Sequence, residues 1–337
     1  MKAAVIGAGR MGRRHVHVVQ ELGLDVLGVA DANPEALQQT SQERGLAAHQ
    51  LFSDARKLLA SRPDCVVVST TAPAHADYVC LAAEAGARYI LCEKPLAVSL
   101  AQCDRIIDCC AKHGARLAVN HQMRFMEQYI EPRRLIESPA MGGLAGVTVV
   151  AGNFGLAMNG THYFEMFRYL TGEAPLAASA WFSGETVANP RGPQFQDRAG
   201  FIRLVTATGK RFTLDCSADQ GHGLLVTYAC RHGRISVDEL SGQMTWCCRK
   251  EEHRALPTTR YGMPWDEGQK HIAPADAVAP TRAVLQALLA EKDYPTGAQG
   301  RLAVAALVAA YLSAEQHNVT VELAVAGKHA QREFPWA

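Results

Sequence analysis

Lys94, set between Glu93 and Pro95 about 80 residues beyond an N-terminal Gly-x-Gly-x-x-Gly, has the clearest chemistry to offer in this chain. Burial disfavours the charge of an amine, so a lysine at the end of a buried strand either has a polar task or reaches solvent. The triplet alone leaves both open. The glycines Gly7, Gly9 and Gly12 say that something binds. Gly7 permits a tight turn, Gly9 lets backbone approach a pyrophosphate, and Gly12 allows close helix–strand packing. The helix that starts at Arg10 and Met11 presents free N–H groups and a partial positive charge to phosphates. Asp31 follows the second apolar run, 26–30, at the spacing of an acid that accepts from both ribose hydroxyls. Ala32-Asn33-Pro34 offers no cation for a 2′-phosphate, which favours NAD over NADP. Asn33, with Pro34 at the first helical position, suffices to cap the next helix and leaves Asp31 for ribose.

Strand–helix alternation positions these residues. Apolar, β-branched strands are predicted at 3–6, 26–30, 65–69, 89–92 and 117–119, with helices between them, including 34–44 and 101–112. Such a pattern implies a parallel sheet covered on both faces, with a nucleotide at the carboxyl ends of the strands. Ser69, Thr70, Thr71, Glu93, Lys94 and Asn120 all fall at such ends, around one crevice. Beyond residue 121 the rhythm changes. Runs at 200–207 and 211–216 form a hairpin at Thr208-Gly209-Lys210, followed by strands at 224–230, 235–238 and 244–248. Helices are expected at 161–170, 281–289 and 301–317, and 257–280 reads as an irregular excursion. The fold class is therefore α/β. An N-terminal Rossmann parallel sheet (1–121) precedes an α+β domain (122–337) with a large mixed or antiparallel sheet. The strands between 200 and 248 have too few helices to cover both faces, and an apolar open face predicts a homo-oligomer, a dimer or tetramer.

Composition narrows the class. The 337 residues suffice for two cores, and a formal charge of +1 without a basic tract argues against nucleic acid. No apolar run is long enough to span a bilayer, and the first residues lead into a strand rather than a signal peptide. A cytoplasmic protein with a small-molecule substrate is expected. The ten cysteines are scattered through apolar segments without a Cys-x-x-Cys, as buried reduced thiols would be. His15 and His17, two apart on a helix, point away from each other, and no metal site is expected.

In their order, Gly7–Gly12, Asp31, 69–75, Glu93-Lys94-Pro95, Asn120, Arg124-Phe125, 160–172 and Thr296-Gly297 resemble the Gfo/Idh/MocA oxidoreductases. The resemblance covers nearly the whole chain. It implies a Rossmann domain, an α+β domain whose open sheet mediates oligomerisation, and hydride transfer between nicotinamide and a hydroxyl-bearing carbon of a sugar or cyclic polyol. It also adds His75 to the residues around the cofactor. Removing hydride from a carbinol carbon leaves a positive centre unless the hydroxyl proton departs as well. Lys94 is suited to hold and polarise that oxygen, and His162 to exchange the proton near neutral pH. A lone histidine on an apolar helix is more often structural; it is the family-like segment that reverses this.

The chain departs from the family at Met158, where many dehydrogenase members carry an aspartate four residues before the histidine. Glu165, three residues after His162, either partners it on the same helical face or is a cap or solvent contact. Arg124, Asn153, Asn159, Tyr163 and Arg191 offer donors to a polyhydroxylated substrate, though each suits a turn or surface equally. Two alternatives stay open: a redox-neutral NAD enzyme catalysing elimination, epimerisation or glycoside cleavage, and a non-catalytic NAD-binding regulator.

Overall fold

The structure, a computed structural model, describes residues 1–217, 219–221, 223–259, 261–273 and 278–336. The chain packs as two units. The first comprises Met1–Gln122, Asp276–Val304 and Ala326–Ala337; the second comprises Met123–Ala275 and Ala305–Val325. The first unit is thus not confined to 1–121, because two later segments return to it.

The first unit runs β1 (Lys2–Ile6), α1 (Arg10–Glu21), β2 (Asp25–Ala30), α2 (Pro34–Arg44), β3 (Leu51–Phe52), α3 (Ala55–Leu59) and β4 (Cys65–Val68). It continues through α4 (His75–Glu84), β5 (Tyr89–Cys92), α5 (Leu100–Lys112) and β6 (Arg116–Val119). The six strands pair in parallel in the order β3-β2-β1-β4-β5-β6. Cys65–Val68 and Tyr89–Cys92 are buried at every position, as strands covered on both faces must be. Asn33 caps α2 through Glu35 N–H at 2.9 Å, with Pro34 at the first helical position, as expected.

Register decides where the site lies. Ile6 is level with Ala30 and Val68, Val68 with Cys92, and Cys92 with Val119. The first residues past these strand ends are therefore Gly7, Asp31, Ser69, Glu93 and Asn120. All five still donate backbone N–H groups to the neighbouring strand: Gly7 to Ala30, Asp31 to Phe52, Ser69 to Ile6, Glu93 to Val68 and Asn120 to Cys92, at 2.8–3.0 Å. Each side chain thus leaves a backbone already fixed by the sheet.

Helix α8 (Val278–Leu289) packs against α1, β5 and β6, and the start of α9 (Gly297–Glu315) lies on β6. A Cβ on Gly297 would sit 2.6 Å from Leu117, and one on Gly300 2.5 Å from Val119, so both glycines are needed for that approach. The last helix, α10 (Lys328–Gln331), contacts α5.

The second unit contains α6 (Glu127–Ile136), β7 (Leu144–Gly152), α7 (Thr161–Thr171), β8 (Pro175–Ala188), β9 (Gln196–Thr206) and β10 (Arg211–Ser217). Then come β11 (Leu225–Cys230), β12 (Gly233–Asp238), β13 (Gln243–Arg249), β14 (Trp265–His271) and, after α9, β15 (Val321–Glu322). They form one nine-stranded sheet in the order β14-β13-β12-β11-β7-β10-β9-β8-β15, in which β7–β10 is parallel and the other pairings of the described residues are antiparallel. One face carries the core, including Ile202, Phe212, Leu214, Tyr228 and Ile235. There Phe212 meets Phe164 and Phe167 of α7, with ring centroids 5.8 and 5.4 Å apart.

The opposite face differs from the expected apolar one. In register across it stand Ser179, Arg203, Thr213, Thr148, Thr227, Ser236, Thr245 and Gln269. Trp181 and Leu225 are exposed beside this polar row, at 48% and 43%. The segment 257–280 is not wholly irregular either, since Trp265–His271 pairs with β13; residues 260 and 274–277 of it lie outside the described residues. Among the described residues no helix is long and apolar enough to cross a membrane.

Candidate functional site

The glycine loop is shaped by contacts that no side chain could share. Gly7 has φ +101°, and a Cβ there would lie 2.7 Å from the Ser69 carbonyl carbon. A Cβ on Gly12 would lie 1.8 Å from the Gly7 oxygen. Ser69, placed by β4, donates its hydroxyl to the Gly7 carbonyl at 3.0 Å and so braces the turn. Gly9 is different: its backbone is extended and nothing lies within 4 Å of where a Cβ would be. It begins α1 with no side-chain cap and no acid in the first turn, Arg10 is exposed and Met11 half-buried. An uncapped helix start in open space is what a dinucleotide pyrophosphate requires. Gly9→Ala should therefore leave the melting temperature unchanged while lowering NAD affinity, as calorimetry would show. Equal affinity in the variant would exclude the loop as the phosphate site.

Asp31 is half-buried and is not left unengaged as the sequence suggested. One carboxylate oxygen accepts Asn33 N–H at 2.8 Å and the other Ala8 N–H at 2.7 Å. Each oxygen retains a second lone pair, and the Ala8 bond ties the acid to the glycine loop.

Next along the strand ends is a buried polar cluster. His15 Nε2 lies 2.7 Å from Glu93 Oε1, and Asn120 donates to the same oxygen at 2.8 Å. Lys94 N–H donates to Glu93 Oε2 at 3.3 Å. Burial alone would raise the Glu93 carboxyl; the His15 hydrogen bond and charge, then the charge of Lys94 and the Asn120 bond, hold it well below the usual carboxylate range. Glu93 is thus an anion beside half-buried Lys94, whose peptide to Pro95 is cis. Among the described residues Asn120 Oδ1 is a buried acceptor without a partner, which suits a cofactor amide.

Sequence reasoning missed His15 in this role. The available signal was a ring on the inner face of α1, beside Val16 and Val19, where a polar group needs a partner. His75 is also buried, with its ring nitrogens 3.0 Å from the Pro95 carbonyl and 3.1 Å from that of Thr70. Burial lowers its pKa, against the pull of Thr70, Glu93 and Pro95. It ties the segments after β4 and β5 together. Thr70 and Thr71 are half-buried between them.

In the second unit His162 is buried near the start of α7, after a π-turn over Leu156–Gly160. Asn159 donates to the Phe154 carbonyl at 2.6 Å and fixes that turn; Asn153 and Arg191 are half-buried in loops. Asp197, from β9, is a residue the sequence gave no local reason to choose. Its two oxygens accept Ala157 and Met158 N–H, each at 2.8 Å, and a Cβ on Gly155 would meet it at 2.3 Å. A carboxylate therefore reaches the backbone of position 158 from a distant strand.

Three expectations need correction. Glu165 is buried and pairs with Arg124 and, at 2.8 Å, with Arg168, and so is not a solvent contact. Arg124 is engaged by that carboxylate and lies over the Tyr169 ring at 4.6 Å. Tyr163 directs its hydroxyl to Glu239 at 3.0 Å rather than outward, and Tyr129 binds the other Glu239 oxygen. Burial raises the Glu239 pKa, and the two tyrosine hydrogen bonds oppose it.

These units have known counterparts. The chain is 28% identical to D-apiose dehydrogenase of Paraburkholderia graminis, over 96% of this chain and 89% of that protein. It is also 28% identical to inositol 2-dehydrogenase of Pseudomonas fluorescens, over 66% of this chain and 69% of the relative. An aldose-aldose oxidoreductase from Caulobacter crescentus, solved with glycerol, shares the fold with a TM-score of 0.74 at 21% identity, over 96% of this chain and 99% of that one. Residues 1–121, which carry the glycine loop and the strand-end cluster, match the family model of the Gfo/Idh/MocA oxidoreductases, an oxidoreductase family with an NAD-binding Rossmann fold.

Proposed function

We propose that the protein moves a hydride between NAD and a hydroxyl-bearing carbon of a sugar, sugar derivative or cyclic polyol. The observation that carries this reading is the ionised Glu93, fixed by His15 and Asn120 beside Lys94 at the end of a dinucleotide-type sheet. The names of the relatives, dehydrogenases of apiose and inositol, supply the substrate class. Bound NAD would take up or return the hydride. The residues of this chain handle the oxygen and its proton. Lys94, whose charge helps hold the neighbouring Glu93 ionised, holds the substrate oxygen, and the His162 imidazole exchanges the hydroxyl proton. Asn153 and Asn159 offer amide contacts to further hydroxyls.

Asp31 favours NAD, because its carboxylate repels a 2′-phosphate and Ala32-Asn33-Pro34 carries no cation. A panel of sugars and polyols, followed by the absorbance of reduced nicotinamide with NAD and NADP in parallel, tests both statements. Reduction of NAD by at least one member is expected, and Asp31→Ala should weaken NAD more than NADP. Tight NAD binding with no net reduction across the panel would favour redox-neutral chemistry and overturn the dehydrogenase reading. The ten unpaired cysteines suit a cytoplasmic setting. A homo-oligomer through the open sheet face is supported by exposed Trp181 and Leu225; a monomer mass in light scattering would exclude it.

A further inference from the structure

Helices α4 and α5 follow neighbouring parallel strands and pack side by side, running in the same direction. Each carries a cysteine followed four residues later by a second potential ligand: Cys80 and Glu84 on α4, Cys109 and His113 at the end of α5. Residues four apart share a helix face. The facing pair brings one ligand atom each from Glu84, Cys109 and His113 to within 4.8 Å of one another. These residues, with Cys80, Arg105 and Lys112, line a surface pocket of about 260 Å³.

We propose that Glu84, Cys109 and His113 form a binding site for a borderline-soft divalent cation of the Zn²⁺ class. The donors are a carboxylate oxygen, a thiolate sulfur and an imidazole nitrogen, a mixture that selects zinc over calcium or magnesium. Zinc distances of about 2.0–2.3 Å put tetrahedral ligands about 3.3–3.8 Å apart, so roughly 1 Å of side-chain closure completes the set. Glu84 and His113 are exposed and Cys109 half-buried, so such closure meets little resistance. Among the described residues, neither the Glu84 carboxylate nor the His113 ring has a hydrogen-bond or ion-pair partner to give up. Arg105 is already paired with Asp77 at 2.9 Å and does not neutralise Glu84.

The two cysteines are not equivalent. Cys80 is 4% exposed, and burial, with a contribution from Cys109, pushes its thiol up to about 12. Cys109 is the more accessible, and its Sγ lies 3.8 Å from the Cys80 carbonyl. On binding, the Cys109 thiol releases its proton to solvent as sulfur joins the metal, and water completes the fourth position. Two anionic ligands balance the charge of the ion. The site lies at the ends of α4 and α5 remote from the glycine loop. From His75 to Glu84 the helix rises about 13 Å. Metal would therefore staple α4 to α5 without entering the cofactor end.

The test uses the whole reduced chain, freed of metal and then titrated with Zn²⁺ and separately with Co²⁺. One ion per chain, a melting temperature that climbs with Zn²⁺ concentration, and a thiolate-to-cobalt charge-transfer band are expected. Cys109→Ser and His113→Ala, both at accessible positions, should fold normally and lose stoichiometric binding; Cys109→Ser should also lose the band. Cys230→Ser, a half-buried cysteine in the second unit, should keep all three signals. Uptake unchanged in both site variants, or no stoichiometric uptake by the unaltered chain, overturns the proposal.

Discussion

Replacing Lys94 with alanine is expected to lower turnover by roughly two to four orders of magnitude, the scale for removing a group positioned to manage a proton in the transition state. The fold should persist. The His15–Glu93–Asn120 cluster does not need the Lys94 side chain, since Glu93 meets Lys94 through its backbone N–H as well. NAD affinity should survive for the same reason, because the glycine loop is braced by Ser69 and not by the lysine. The measurement is therefore steady-state turnover set beside cofactor titration and thermal melting. A variant with native melting and near-native turnover would remove Lys94 from the chemistry.

Glu165→Gln is expected to destabilise the second unit by about 3–5 kcal/mol, the range for removing one partner of a buried ion pair. Glu165 is 1% exposed and holds both buried Arg124 and half-buried Arg168, so the amide would remove the negative charge that both guanidinium groups face. Chemical denaturation of the two proteins compares them directly. Had Glu165 oriented His162, the variant would keep its stability and lose part of its activity. Native stability with reduced turnover would restore that pairing and refute the present one.

The contrast at Glu165 shows what a sequence displays and what it hides. Spacing along a helix correctly placed Glu165 and His162 on one face, but Arg124 lies 41 residues away in the chain and enters from another element. Short-range rules are blind to such a partner. Strands of the first sheet were legible because burial on both faces writes a continuous apolar run, as in Cys65–Val68. Strand β14 was hidden for the converse reason: it is exposed on both sides, so Trp265–His271 shows no alternation. Residues 144–152 and 175–188 stayed unassigned, although they are β7 and β8. Tyr163 was read as a donor to a ligand because its hydroxyl partner, Glu239, is 76 residues distant. The glycine motif and Asp31 are readable within one strand–helix–strand unit, whereas the Ser69 brace on Gly7 comes from 62 residues away.

The ends of the nine-stranded sheet bear on how the protein behaves when crowded. An unpaired outer strand invites another chain to add to it, and natural sheets resist this with charge or brevity. Here one border is β14, carrying Asp266, Glu267 and Lys270, and the other is β15, only two residues long. Beside β15, the N–H of Ala180 is already taken by the Ser313 hydroxyl at 3.0 Å. Charge on β14 and the brevity of β15 oppose the addition of another chain at these two borders.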